Sequence, residues 1–301
     1  MRTYLKCLLA VAALAFGTGA HAALSVFACE PEWAALAREL GGEKVNAFSA
    51  TTARQDPHHI EARPSLIARM RSADLVICSG SELEVGWLPL LLSQSGNGRV
   101  QPGTPGYLEA SQYVARLDVP RVVDRSMGDI HPGGNPHIQT DPRNIAKVAA
   151  VLAERLAQVD AGNAALYRER AADFDRRWQA DIARWEKEAA PLKGVPLLEH
   201  HKDFSYLMRW LGLREVGTLE PLPGIPPTTS HLAELVEHMK QAPAKMIVYS
   251  SYSDPRAAQF LSQRTGIPSV MLPFTVGGSD RAKDLAGYFD DLIARLLGAA
   301  K

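Results

Sequence analysis

Residues 163–189 read NAALYRERAADFDRRWQADIARWEKEA, a stretch without glycine or proline. Its large apolar residues recur at helical spacing among dense charges: Leu166, Phe174, Trp178, Ile182 and Trp185. This pattern is typical of one long helix with a single apolar face. Pro191 ends the helix, because proline has no amide hydrogen to donate. An ordinary helix inside one domain is the alternative, but the length and central position of this helix favour a connection between two domains.

Strand-like and helix-like runs alternate on both sides of this helix, without hairpin signals. Residues 74–78 are strand-like before it, and residues 246–249 are strand-like after it. Such alternation is typical of parallel sheets with crossover helices. We therefore predict an α/β protein in which two parallel-sheet lobes are bridged by the long helix. We expect the lobes at residues 23–162 and 191–301, with the bridging helix at residues 163–190.

The first 22 residues have the pattern of a secretory signal peptide. Arg2 and Lys6 give a basic start, residues 8–16 form an uncharged apolar run, and residues 20–22 (AHA) supply small residues before a cleavage site. The apolar run is shorter than the about 20 residues that span a bilayer. We therefore expect a soluble periplasmic protein, exported through a signal peptide at residues 1–22. A retained anchor helix is the alternative.

Two cysteines remain after that cleavage, Cys29 and Cys78. Each ends an apolar, strand-like run, and the ends of such runs are neighbours if the strands pair in a parallel sheet. An even number of cysteines in an oxidising compartment allows one disulfide. Two separate buried thiols are the alternative.

Histidines occur at three loop sites that lie far apart along the chain. The pair His58-His59 follows Asp-Pro, His137 follows Asn-Pro, and the pair His200-His201 follows a strand-like run. In open α/β sheets, ligands gather outside the carboxyl ends of the strands, and neutral imidazole is a common ligand of borderline metals. The three loops can therefore converge on one cation in the cleft between the lobes. Ordinary solvated loop histidines are the alternative, since the sequence has no compact metal signature.

These loops resemble the ligand loops of the periplasmic metal receptors of zinc and manganese ABC importers. Residues 56–65 (DPHHIEARPS) are similar to the family's first ligand loop, and residues 135–144 (NPHIQTDPRN) to the second. Residues 201–213 (HKDFSYLMRWLGL) are similar to the third. The long helix resembles the rigid helix that joins the two lobes in that family. The resemblance covers essentially the whole mature chain.

The resemblance implies that His58, His137 and His201 are metal ligands, and it leaves His59 and His200 outside the ligand set. Manganese members of the family typically have a carboxylate in place of His201. A third imidazole favours a softer, tetrahedral ion, and the implied cargo is therefore Zn²⁺.

A fourth ligand is harder to assign. In the family it is usually an acidic residue just after the last strand, and here the first acids in that region are Asp280 and, one turn later, Asp284. Either is a candidate metal ligand, either can instead be a carboxylate at a helix start, and water can also fill the position. His131 lies in a short flexible stretch and can hand metal inward, although a plain loop residue is the simpler interpretation.

The resemblance implies a receptor that captures Zn²⁺ in the periplasm and delivers it to an inner-membrane ABC permease and its ATPase. We expect a monomer without catalytic activity, with a zinc chaperone as an optional partner. Acidic and basic residues balance at 33 each, which gives no indication of nucleic-acid binding. The alternatives are a manganese or iron receptor of the same fold, a metallochaperone or adhesin, and a zinc-dependent hydrolase. For the hydrolase, Glu61 is the nearest acid or base, but the sequence has no nucleophile elbow or zincin helix.

Overall fold

Two parallel sheets organise the residues that the computed structural model describes, 22–301. The first sheet has the strand order β2-β1-β3-β4 and the second has the order β6-β5-β7-β8. All pairings within them are parallel. The strands are β1 (Leu24–Ala28), β2 (Val45–Ser49), β3 (Leu75–Cys78), β4 (Tyr107–Glu109), β5 (Pro196–Glu199), β6 (Arg214–Thr218), β7 (Met246–Ser250) and β8 (Ser269–Leu272). The predicted α/β class with two parallel-sheet lobes is confirmed.

Helices cross over between the strands and cover the sheets. They are α1 (Pro31–Gly41), α2 (Pro64–Ser72), α3 (Leu88–Ser95), α4 (Pro142–Val159), α5 (Ala164–Glu188), α6 (Ser205–Leu211), α7 (Thr229–Gln241), α8 (Arg256–Thr265) and α9 (Leu285–Ala299). Among residues 22–301, none of the helices has the length and apolarity that a membrane span requires. The predicted signal peptide lies outside the described residues, apart from its last residue, Ala22.

The long helix α5 carries one buried face, as the sequence pattern predicts, except that its first buried residue is Tyr167 and the predicted Leu166 is only half-buried. The side chains on that face are Tyr167, Phe174, Trp178, Ile182 and Trp185. Phe174 stacks on Trp178 with ring centroids 5.1 Å apart, and Trp178 and Trp185 both pack against Phe289 of α9. Each buried indole also donates a hydrogen bond, as buried tryptophans usually do.

The indole hydrogen bonds of α5 reach both halves of the chain. Trp178 Nε1 donates to the Pro142 carbonyl at the start of α4, over 2.8 Å. Trp185 Nε1 donates to Asp290 Oδ1 of α9, over 2.7 Å. Around this face, one continuous hydrophobic cluster contains residues from both sheets, including Leu75 of β3 and Met246 of β7. The two lobes therefore share one core, and α5 is a rigid bridge between them.

Cys29 and Cys78 form a disulfide, which confirms the first of the two alternatives. β1 and β3 are neighbours in the sheet, with Ala28 paired to Ile77, so the residues that follow in register come together at the carboxyl edge. The two Cα atoms lie 4.8 Å apart, and both side chains are buried. The disulfide thus ties together two strand ends near the edge where the ligand loops begin.

Replacement of Trp185 by alanine is expected to lower the free energy of unfolding by about 3–5 kcal/mol, because it removes a fully buried aromatic side chain from the shared core. Urea denaturation followed by circular dichroism measures the change. Arg176→Ala on the same helix is the matched control, since Arg176 is exposed and its ion pair with Asp173 lies at the surface. That variant should lose less than about 1 kcal/mol. Equal losses in the two variants would contradict the role of the buried face.

Candidate metal centre

Three histidines from distant loops meet between the lobes. His58 lies in the loop after β2, His137 comes just before the short 3-10 turn that precedes α4, and His201 follows β5. Their nearest ligand atoms all lie within 4.8 Å of one another. Ring centroids are 5.4 Å apart for His58 and His137, 5.5 Å for His58 and His201, and 5.6 Å for His137 and His201. The structure thus brings together the three histidines that the sequence analysis selected.

Two of these imidazoles are held by a carboxylate behind the ring. His58 Nδ1 lies 2.6 Å from Asp56 Oδ1, and His201 Nδ1 lies 2.8 Å from Glu220 Oε2. A carboxylate on one ring nitrogen fixes the tautomer and orientation and makes the other nitrogen a better metal ligand. Nε2 of each ring is therefore left free to face the cluster. These roles of Asp56 and Glu220 were not predicted from the sequence.

His137 is the most deeply buried of the three, with 1% of its surface exposed. Neither of its ring nitrogens has a hydrogen-bond partner within the described residues. A buried polar group without a partner costs about 1–3 kcal/mol. Phe274 packs edge-on against the ring with centroids 5.3 Å apart, so apolar contact holds the ring in place. A cation coordinated by one of these nitrogens would remove that cost, and the residues present therefore fit a bound metal.

Burial and charge set different protonation states for the three-histidine cluster. Burial, together with the charges of His58 and His201, holds the pKa of His137 well below its usual range, so this ring is neutral. Burial also disfavours charge on His201, but the Glu220 hydrogen bond and the charge of Asp203 outweigh it and raise the pKa of His201 to about 9. The neutral His137 ring is thus ready to coordinate a cation, whereas the His201 ring must first lose a proton.

The acid at the cluster is Asp203, which sequence reasoning did not select. Its Oδ1 lies 3.7 Å from His137 Nε2 and accepts a hydrogen bond of 2.7 Å from the Tyr252 hydroxyl. Its Oδ2 is buried and has no partner among the described residues. Burial raises the pKa of this carboxyl group, against the opposing charge of His201. The i, i+2 spacing from His201 was the only sequence signal for it, and the side chain reaches the cluster because the turn after β5 is buried.

Asp280 and Asp284 do not reach the cluster, which corrects the expectation for the fourth ligand. Both are exposed. Asp284 caps the start of α9 and accepts a hydrogen bond of 2.8 Å from the Gly287 amide. The chain after β8 is at the cleft only around Phe274 and Thr275, and it has turned to the surface before Asp280. Asp284 therefore serves the start of α9, and Asp280 is exposed in the segment before it.

The remaining cleft histidines differ in how they face the cluster. His59 is exposed, with its Nε2 3.9 Å from Asp129 Oδ2. His200 is buried, but its Nε2 faces Glu220 Oε1 at 4.0 Å instead of the three rings. His131, which the sequence analysis interpreted as a loop residue, has its Nε2 3.3 Å from His58 Nε2. Loop composition alone could not place His131, because its position depends on contacts with the other lobe.

Two parallel-sheet lobes on one rigid helix, with buried imidazoles converging between them, define a two-lobed metal-binding receptor. The chain belongs to the family described as zinc-uptake complex component A, periplasmic (ZnuA), whose model matches residues 26–296. Its relatives are substrate-binding proteins of metal ABC transporters, so the chain is such a binding protein and not an enzyme. The hydrolase alternative is thereby excluded.

Relatives of this chain carry names for both metals. It is 23% identical over 275 residues to a manganese ABC transporter substrate-binding lipoprotein, PsaA, of Streptococcus anginosus, covering 88% of this chain and 84% of the relative. It is 20% identical over 250 residues to the high-affinity zinc uptake system protein ZnuA of Bacillus subtilis, covering 82% and 76%. A crystal structure of ZnuA has the same fold, with a TM-score of 0.79 and 18% identity, over 93% of this chain and 100% of that one.

Zinc binding to the metal-free protein at about pH 7.5 is expected to release about one proton, because His201 must lose its proton before it can bind a cation. The number released should fall as the pH rises through about 9, where His201 of the metal-free protein is already neutral. Calorimetry in buffers of different ionisation enthalpy counts the protons. Glu220→Gln is the control and should release fewer at the same pH. A release that does not vary with pH over this range would contradict the assignment.

Proposed function

We propose that this protein captures Zn²⁺ outside the cytoplasm and delivers it to an ABC permease in the inner membrane. The observation that carries the proposal is the cluster of His58, His137 and His201, in which two rings are oriented by carboxylates and the third has no other partner. A closed set of ligands suits tight capture, whereas a catalytic zinc site keeps an open position for water or substrate.

The donor set favours zinc over manganese. Imidazole nitrogen suits zinc, copper and nickel, whereas manganese is usually held by carboxylate, carbonyl and water oxygens. The three rings supply nitrogen, and Asp203 is the carboxylate that lies near His137 Nε2. Asp203 places a negative charge beside the cation without making the site oxygen-rich. A manganese receptor remains the second candidate function, supported by Asp203 and by the manganese relative.

Delivery requires a membrane partner, and the relatives indicate which kind. Relatives of this chain are named as substrate-binding components of ABC transporters or of uptake systems. We propose that the loaded protein docks as a monomer on a permease whose ATPase drives import. Export through the signal peptide at residues 1–22 would place it in the periplasm, where a zinc chaperone is a further candidate partner.

The metal itself tests the proposal most directly. Protein purified from a periplasmic extract without chelators is expected to carry about one zinc per chain, because the three imidazoles converge on one position. Elemental analysis gives the count. When metal-free protein is offered both ions, zinc should bind at least about a hundredfold more tightly than manganese, following the general affinity order of divalent metals. Protein that binds manganese more tightly, or no zinc at all, would refute the zinc assignment.

Ligand variants locate the site. His58→Ala, His137→Ala and His201→Ala should each weaken zinc binding by more than about tenfold, because each removes a coordinating nitrogen. His59→Ala and His200→Ala are the matched controls within each histidine pair and should change affinity by less than about threefold. Competition with a chelator measures the affinities. A reversed order within either pair would show that the wrong histidine of that loop has been assigned.

A further inference from the structure

The loop that carries His131 starts in the N-terminal half of the chain but is attached to the C-terminal lobe. The Asp129 amide donates to the Pro223 carbonyl over 2.8 Å. Just beyond His131, the Asn135 side chain donates to the Lys202 carbonyl over 2.8 Å. Any side chain at Gly128 would collide with the Pro223 carbonyl, so the close approach requires glycine there. His131 is therefore fixed between two attachment points, on either side of it in sequence.

These attachments hold the His131 ring at the three-histidine cluster. Its Nε2 lies 3.3 Å from His58 Nε2, and the two ring centroids are 5.3 Å apart. Two nitrogens bound to one tetrahedral zinc at about 2.0–2.1 Å lie about 3.3 Å from each other. The centroid separation from His58 also matches those within the three-histidine cluster, 5.4 to 5.6 Å, while the His131 and His137 centroids lie 6.4 Å apart. The pair thus has the spacing of two imidazoles on one ion.

His58 Nδ1 is already engaged by Asp56 Oδ1, which leaves the Nε2 atom of His58 toward the His131 ring. The Nε2 atoms of His58 and His131 face each other. When neither of these Nε2 atoms carries a proton, they present lone pairs to each other. Facing lone pairs at 3.3 Å repel unless a cation or a proton lies between them.

Asp203 is the other side chain that could bind the same ion beside the three histidines. Its Oδ1 is 3.7 Å from His137 Nε2, longer than the expected edge between two ligands of one zinc, about 3.3 Å. That oxygen is also occupied by the Tyr252 hydroxyl at 2.7 Å. Asp203 Oδ1 is thus held by Tyr252 beside the cluster, whereas His131 Nε2 has the ligand spacing to His58 Nε2.

We propose that His131 is the fourth protein ligand of the captured ion, so that four imidazoles hold the zinc and Asp203 balances charge without coordinating it. The proposal rests on the proposed zinc-receptor function and deepens it. An all-nitrogen set rejects manganese more strongly than three imidazoles and a carboxylate do. It also makes the fourth ligand depend on a loop that the C-terminal lobe holds in place.

X-ray absorption of the zinc-loaded protein tests the proposal, because scattering from imidazole rings counts the histidine ligands directly. The wild-type protein should show four imidazoles, and His131→Ala should show three with one oxygen from water. His59→Ala is the matched control, an exposed cleft histidine that should leave the count at four. Zinc affinity of His131→Ala, measured by chelator competition, should fall at least about tenfold. Asp203→Asn should keep four imidazoles.

Each outcome has a distinct meaning. Three imidazoles and an oxygen in the wild type, unchanged by His131→Ala, would overturn the role of His131 and leave the zinc receptor intact. An oxygen ligand that disappears in Asp203→Asn would assign the fourth place to Asp203 instead. Absence of zinc binding in the wild type would overturn the receptor function itself. The wild-type count does not depend on how well any variant folds, and circular dichroism checks the variants.

Discussion

The aromatic side chains along one face of α5 are the contact on which the rest of the structure depends. Trp178 and Trp185 meet Phe289 inside a core that both sheets share. Protein interiors are packed as densely as organic crystals, so one lobe cannot rotate against the other without opening voids beside these rings. The loops that carry His58, His137 and His201 extend from both lobes, and their meeting point is set by that fixed relation. The position of the candidate metal centre thus depends on the packing of α5 against α9, which lies some distance away from it.

Long-range features of the fold could be predicted from the sequence where the spacing of apolar residues was regular or where proline or glycine marked the end of an element. The long helix α5 lies one residue inside the quoted stretch 163–189 at each end, and the strands that end next to Cys29 and at Cys78 are neighbours as expected. β2, β4 and β6 were not predicted from the sequence. β2 (VNAFS) and β6 (REVGT) are partly exposed strands at sheet edges without a regular apolar alternation, and β4 has only three residues. Short or half-exposed edge strands carry little hydrophobic signal, because only part of their surface is buried.

The residues of the candidate site also differ in whether a local sequence pattern indicates them. His58, His137 and His201 sit in motifs whose residues are adjacent in sequence, so a resemblance could select them. Asp203 and His131 reach the cluster through contacts with Tyr252 and Pro223, which no local pattern encodes. Asp280 and Asp284 failed as candidates for a related reason. Distance from a strand end along the chain does not fix where a side chain points once the chain has turned.

The shared core has a consequence for how the cargo leaves. Many binding proteins release ligand by hinge opening, but a hinge needs a few residues that absorb the rotation and an interface that can part. Here the interface is a continuous core, and the three-histidine cluster is largely buried between the lobes. At a fixed association rate, each tenfold gain in affinity lengthens the residence time of the cargo about tenfold. Spontaneous release of an ion from such a site is slow. Delivery therefore depends on a partner that displaces one of the histidine loops from the lobe that holds it.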